Sequence, residues 1–257
     1  MDNKLTLQVL IASMNQSDHS LLEKMNIQSD AIVGNQCDRN SIEEFDWKGY
    51  KIKYLNFAEK GVGLNRNNAL MRATADICVF ADDDMVYLDG YVESIRTAFI
   101  ELKNADVIVF NLLEDRPSRY IIKKVTRVSY FNYLRYGTAR IAVRLNSIRF
   151  NGISFNLCFG GGTGRCHGED NLFLTSCLDK GLNIYAVPVT IARLTEERES
   201  SWNKGYDEKY LKDQGELYRA ISKKWCFLLC LQDILRHRKE YKINIYDGLR
   251  LMLNKEN

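Results

Sequence analysis

The chain has 257 residues, 46% of them apolar and 27% charged, and a formal net charge of +3. That balance suits one large domain, or one domain with an appendage, and excludes a disordered or fibrous chain. Seven cysteines, scattered without a CxxC pair, supply no disulfide framework, and the loose group Cys158, Cys166, His167 and Cys177 matches no zinc-ligand spacing. Reduced, mostly buried cysteines in a cytoplasmic protein are expected.

The N-terminus reads as a strand, Leu5 to Ala12, with no signal peptide before it. Ser17 to Met25 reads as a helix, with Ser20 and Glu23 at capping-box spacing. Ala31 to Val33 is a second strand, ending in the polar group Asn35 to Asn40. Lys51 to Leu55 alternates as a third strand. Gly61-Val62-Gly63 precedes a helix over about Asn65 to Ala73. Ile77 to Ala81 is an apolar run that ends at once in Asp82-Asp83-Asp84. A helix over about Asp89 to Lys103 and a strand over Val107 to Leu112 follow. Strands alternating with helices predict an open, mainly parallel α/β sheet.

From Arg116 to Arg149 there are nine Lys or Arg residues and no acids. Such a stretch suits either an anion-facing surface or a solvated basic face. Tyr130, Phe131, Tyr133 and Tyr136 suit sugar stacking or core packing alike. A glycine-rich turn, Phe159 to Gly164, leads through His167-Gly168 to Glu169-Asp170, the start of a helix to about Lys180 that Gly181 ends. Leu182 to Val187 reads as a strand, and beyond Trp202 the chain reads as helical. Trp225 to Leu231 is too short to span a bilayer. The basic and apolar residues from Lys223 to Lys239 suit an interfacial helix or one packed on the domain.

Three adjacent carboxylates repel one another unless a cation offsets them. At i and i+2 on an extended backbone, Asp82 and Asp84 point the same way and suit a hard cation such as Mg²⁺ or Mn²⁺; an acidic turn is the plain alternative. In open α/β sheets ligands bind beyond the carboxyl ends of the strands. Ser13-Met14-Asn15, Asp38 and Asp82 to Asp84 all fall at such ends.

Taken together these residues resemble the family 2 glycosyltransferases of the GT-A fold. The resemblance rests on Ala12 to Asn15, Asp38, Gly61 to Asn67, Asp82-Asp83-Asp84 and Gly168-Glu169-Asp170, in the family's order over about the first 200 residues. It is nearest to bacterial enzymes of capsule, O-antigen and exopolysaccharide assembly. The resemblance implies a Rossmann-like central sheet over 1–200, with a nucleotide-sugar half (1–112), an acceptor half (113–200) and a C-terminal helical extension (201–257). It implies an inverting hexosyltransferase that moves a sugar from a nucleoside-diphosphate donor, UDP-linked, to a glycan or lipid-linked acceptor. Partners are then donor and acceptor, with peripheral contact on the inner face of the membrane and no nucleic acid.

By the same resemblance Asp82 and Asp84 hold Mn²⁺ or Mg²⁺. Ser13, Asn15, Asp38, Arg66, Asp82 and Asp83 contact the donor. Gly160, Gly161 and Gly162 line the acceptor side. Asp170 is the general base, with Glu169 beside it as a second catalytic residue and acceptor ligand. Helix capping alone also explains acids at a helix start. The family often carries a histidine after the Glu-Asp helix; here the region reads Ile191-Ala192-Arg193-Leu194, so either Arg193 contacts the diphosphate or the metal rests on Asp84, Asp82 and donor oxygens alone. A haloacid-dehalogenase-like phosphatase, a sugar nucleotidyltransferase and a non-catalytic sugar-nucleotide binder are the competing readings.

Overall fold

A computed structural model describes residues 5–114, 119–195 and 205–254. Arg116 and Trp202 of the expectations above lie outside these residues.

The elements run β1 (Leu7–Met14), α1 (Leu21–Lys24), β2 (Asp30–Gln36), β3 (Ser41–Trp47), β4 (Tyr50–Phe57), α2 (Val62–Arg72), β5 (Ile77–Asp82), β6 (Met85–Tyr87), α3 (Tyr91–Glu101) and β7 (Val107–Leu113). After them come β8 (Thr126–Arg127), two single-turn 3-10 helices at Tyr133–Arg135 and Thr138–Arg140, β9 (Ile141–Arg144), α4 (Leu145–Phe150), α5 (Glu169–Asp179) and β10 (Ile184–Leu194). Three helices close the chain: α6 (Glu208–Ile221), α7 (Cys226–Tyr241) and α8 (Ile245–Leu253).

The ten strands form one sheet in the order β3-β4-β2-β1-β5-β9-β7-β10-β6, with β8 paired to β10. The run β4-β2-β1-β5 is parallel. Its strands are nearly continuous apolar runs because both faces are covered. β1 is buried from Leu7 to Ser13. Its alternate residues Val9 and Ile11 join one core cluster, whereas Leu10 joins the other. Parallel strands that share a direction deliver Met14, Gln36, Phe57 and Asp82 to one edge.

The structure differs from the expectations at several points, each with a physical cause. The helix expected over Ser17 to Met25 is one turn, and Ser20 makes no side-chain cap. Its own N–H instead donates to Asp18 Oδ1 at 2.8 Å, so no capping box forms. Strand β3 was absent from the expectations because it is an edge strand. Glu43, Glu44 and Asp46 make it read as loop, and its residues alternate between half-buried and exposed. It pairs antiparallel to β4 through Lys48 and Gly49, whose φ of 50° and 84° suit a tight primed hairpin turn. Strand β9 was also unforeseen. It inserts antiparallel between β5 and β7, which makes the sheet more mixed than expected. The final strand does not stop at Val187: β10 passes Pro188 through a register irregularity between Ala186 and Thr190, as a strand proline requires.

Part of the basic stretch is structural rather than solvated. Arg140, 2% exposed, donates to the carbonyls of Tyr120 and Arg135. Arg144 donates to those of Ala105 and Phe99. Arg149 donates to those of Met71 and Ala73 at the end of α2. These guanidinium groups satisfy backbone acceptors that helix ends leave orphaned. The tyrosines divide: Tyr133 and Tyr136 are core, whereas Tyr130 and Phe131 are exposed.

The three C-terminal helices share a core of their own that includes Leu211, Tyr218, Cys226, Cys230, Ile234 and Met252. They meet the sheet domain through Leu217, packed with Phe159 and Leu172. On α7 the buried face is Cys226, Cys230, Ile234 and Tyr241, while Phe227, Leu228 and Leu235 stay about half exposed. Among the described residues no helix is long and apolar enough to cross a membrane.

Candidate active site

The edge where β1, β2, β4 and β5 end is tied together by amides. Asn35 and Asn56 are fully buried. Asn35 Nδ2 donates to Gln16 O at 2.9 Å and to Asn56 Oδ1 at 2.7 Å. Its Oδ1 accepts from the Gln16 N–H at 2.9 Å. Gln16 Nε2 reaches Asp83 Oδ2 at 3.3 Å. Gln36 Oε1 accepts from the Gly61 N–H at 2.8 Å. Buried polar groups need such partners, and here the partners hold the loops of three strand ends in register. Sequence reasoning missed Gln16 and Asn56. Their signal was weak: a polar residue just past Asn15, and an asparagine inside an apolar strand.

Ser13 is buried, and its hydroxyl donates to Gly34 O at 3.1 Å. Asn15 is exposed at φ 54°, and Asp38 is exposed beyond β2. These residues therefore reach the same edge, with Ser13 turned into the sheet.

Arg66 is the organising residue. It lies on α2, 4% exposed, and grips two carboxylates from distant elements. One nitrogen is 2.6 Å from Asp82 Oδ1 and the other is 2.8 Å from Glu169 Oε1. Burial works against its charge, but the two carboxylates outweigh burial and hold its pKa above the usual arginine value. A buried guanidinium is tolerated only when paired in this way. Arg66 thereby joins the end of β5 to the start of α5, elements 87 residues apart between Asp82 and Glu169.

Asp82 ends β5, and Asp83 and Asp84 form the turn before β6. The Asp84 backbone carbonyl accepts from the N–H and the hydroxyl of Thr195, at 2.8 and 3.0 Å. Among the described residues its side-chain Oδ1 is buried without a hydrogen-bond partner. Burial, then Asp82 and Asp83, push its carboxyl up to about 6. That one buried oxygen suits a hard divalent cation such as Mg²⁺ or Mn²⁺, while Asp82 and Asp83 are engaged by Arg66 and Gln16. Arg193 is exposed on β10, paired in register with Val86.

On the other side of Arg66, the loop 158–168 delivers Glu169 and Asp170 to the first turn of α5. Its glycines are matters of close approach. Gly160, at φ 98°, would set a Cβ 2.6 Å from Glu169 Oε2, and Gly162, at φ 84°, would set one 2.9 Å from Gly61 N. The Val62 N–H donates to Gly161 O at 2.9 Å. The three glycines thus dock this loop on the start of α2 and on Glu169. Asp170 Oδ1 accepts from the Asn171 N–H at 2.8 Å, and its Oδ2 faces Gly137, where a Cβ would stand 3.4 Å away. Burial and the adjacent Glu169 push the Asp170 carboxyl up to about 7. A carboxylate in that range is suited to take a proton at neutral pH.

The central sheet flanked by helices matches the fold of GT-A glycosyltransferase structures. Residues 35–159, just under half of the chain, match the model of glycosyl transferase family 2, which supports a glycosyltransferase. No curated protein sequence matches the chain. Solved structures do. The S. aureus TarS fragment 1–349 in complex with UDP-GlcNAc superposes with a TM-score of 0.66 at 15% identity, over 97% of this chain and 76% of that one. The same fragment in complex with UDP gives 0.63 at 16% identity, over 97% and 76%. TarS itself gives 0.62 at 14% identity, over 96% of this chain and 55% of that one. At these identities the likeness bears on the fold.

Proposed function

We propose that the chain is an inverting, metal-assisted transferase that moves a sugar from a UDP-linked donor to a hydroxyl of a glycan or lipid-linked acceptor. The observation that carries this reading is the Arg66 bridge, which places the Asp82–Asp84 turn and the Glu169–Asp170 pair on one cleft. The UDP and UDP-GlcNAc complexes of the structurally similar TarS fragment support the donor class.

In this reading Asp84 is the principal metal ligand, with Asp82 beside it, and the bound cation offsets charge on the diphosphate leaving group. Arg66 keeps Asp82 and Glu169 fixed. Ser13, Asn15, Asp38 and Asp83 border the nucleotide. Asp170 takes the proton of the acceptor hydroxyl. The acceptor oxygen forms its bond to the anomeric carbon as the bond to the diphosphate breaks, and the electron pair leaves with UDP. Attack opposite the leaving group inverts the anomeric centre. Glu169, engaged by Arg66, is a positioning residue. The half-exposed Phe227, Leu228 and Leu235, flanked by Lys224, Arg236 and Lys239, support peripheral contact with an anionic bilayer and a place in surface-polysaccharide synthesis on the cytoplasmic side.

Asp170→Asn tests the reading. Transfer should fall by about 10²–10⁴-fold, with donor binding by calorimetry kept within a few-fold. Full activity in that variant would remove Asp170 as the base. Asp84→Ala should abolish the Mn²⁺ dependence of UDP binding.

A further inference from the structure

Among the described residues, one cluster carries metal-ligand chemistry. Cys166 and His167 lie on the loop that leads into α5, and Asp213 lies on α6. One ligand atom from each falls within 4.8 Å of the others. Cys166 Sγ is 3.2 Å from His167 Nδ1. Tetrahedral zinc, with bonds of about 2.3 Å to sulfur and about 2.0 Å to nitrogen, sets those atoms about 3.5 Å apart. The Cys166 thiol also hydrogen-bonds the Asp213 carboxylate, so the third donor already faces the pair.

An independent feature fixes the imidazole for ligation. His167 Nε2 is 2.7 Å from Gln214 Oε1. An amide oxygen only accepts, so Nε2 carries the hydrogen and Nδ1 turns a lone pair toward the thiol. The ring is stacked on Tyr210 with centroids 4.6 Å apart. A ligating histidine that gives its other N–H to a carbonyl, in a locked ring orientation, is the usual support of a metal site. Gln214 and Asp213 are 9% and 7% exposed, so both are built into the fold.

We propose that Cys166, His167 and Asp213 bind a zinc ion, with a water completing four-coordination. Binding forms the zinc–sulfur, zinc–nitrogen and zinc–oxygen bonds and releases the thiol proton to solvent. Lys209 Nζ, 2.8 Å from Asp213 Oδ2 and 2.7 Å from Gly164 O, holds the carboxylate when zinc is absent and gives way when it binds. The site joins α6 to the residues just before Glu169 and Asp170, so zinc ties the C-terminal helices to the acceptor-side carboxylates. This differs from the Asp82–Asp84 site in kind, since a thiolate and an imidazole select a softer cation than carboxylates alone.

Cobalt substitution of the full chain reads the site without any assay of transfer. Co²⁺ added to metal-free protein should give a near-ultraviolet thiolate charge-transfer band that saturates at about one equivalent. An oxygen-only site gives none. Zn²⁺ should bleach the band, and Cys166→Ala should abolish it while Cys158→Ser keeps it. Gln214→Leu should weaken Co²⁺ binding about 10–100-fold, and Lys209→Met should tighten it. Circular dichroism confirms that each variant is folded. No band in the wild-type protein, or a band that survives Cys166→Ala, overturns the proposal.

Discussion

At the scale of single residues, Arg66 is the side chain on which both halves of the cleft depend. Truncating one partner of a buried charge pair leaves the others uncompensated and costs about 3–5 kcal/mol. Arg66→Ala strands Asp82 and Glu169 together, so unfolding by denaturant should show a loss of that order. Arg66→Lys keeps the charge but cannot bridge two carboxylates with a planar fork, so it should retain most stability while transfer falls. A Lys variant with unchanged activity would reduce the bridge to plain scaffolding. The pH profile is set at this scale too. As the proposed base, Asp170 would have to be ionised to accept a proton, and its carboxyl is pushed up to about 7. The transfer rate should therefore rise with pH through about 7 and level above it. A rising limb centred near the ordinary aspartate value of about 3.9 would mean that Asp170 is not the group observed.

At the scale of elements, close packing makes glycine the sensitive residue. Gly215 of α6 would place a Cβ 1.8 Å from the backbone oxygen of Met252 on α8. Backbone cannot step aside as a side chain can, so Gly215→Ala should destabilise the chain by about 3 kcal/mol, read as a lower denaturant midpoint. The strain falls on the C-terminal helices, so donor binding should outlast it. The same scale explains what was legible in the sequence. Helices α2, α3 and α5 and strands β1, β5 and β7 could be read because period and burial agree along each of them. Strand β3 could not, since an edge strand with Glu43, Glu44 and Asp46 spends its alternation on solvent. Strand β9 is only four residues long and lies inside a basic stretch, where charge masks the apolar step Ile141 to Val143. The turn at Asp82 to Asp84 and the Glu169-Asp170 pair were legible as motifs. Their connection through Arg66 was not, because a contact across 103 residues leaves no local pattern. Asp213 was hidden for the same reason: it meets Cys166 across 47 residues.

At the scale of the whole molecule, the site is a store of unfavourable charge. Asp84 and Asp170 have carboxyls raised to about 6 and about 7, against about 3.9 in an unfolded chain. The folded state therefore holds protons that the unfolded state has lost between about pH 4 and pH 7. Stability from these two groups is complete below about pH 4 and is lost as pH rises through 6 and 7. Under the proposed function, a divalent cation with UDP would reverse this at Asp84, since it would bind the ionised carboxylate and favour the folded state by mass action. Ligand-free protein should thus lose melting temperature between about pH 5 and pH 8 relative to an Asp84→Asn, Asp170→Asn double variant. The gap should be several degrees, at about 2–4 °C per kcal/mol for a chain of this size. Adding Mn²⁺ and UDP should close part of that gap in the wild-type protein and none of it in the variant. Parallel melting curves for the two proteins across that range would show that the cleft carboxylates do not govern stability. The proton that Asp170 holds at mild acidity would then cost the fold nothing to release.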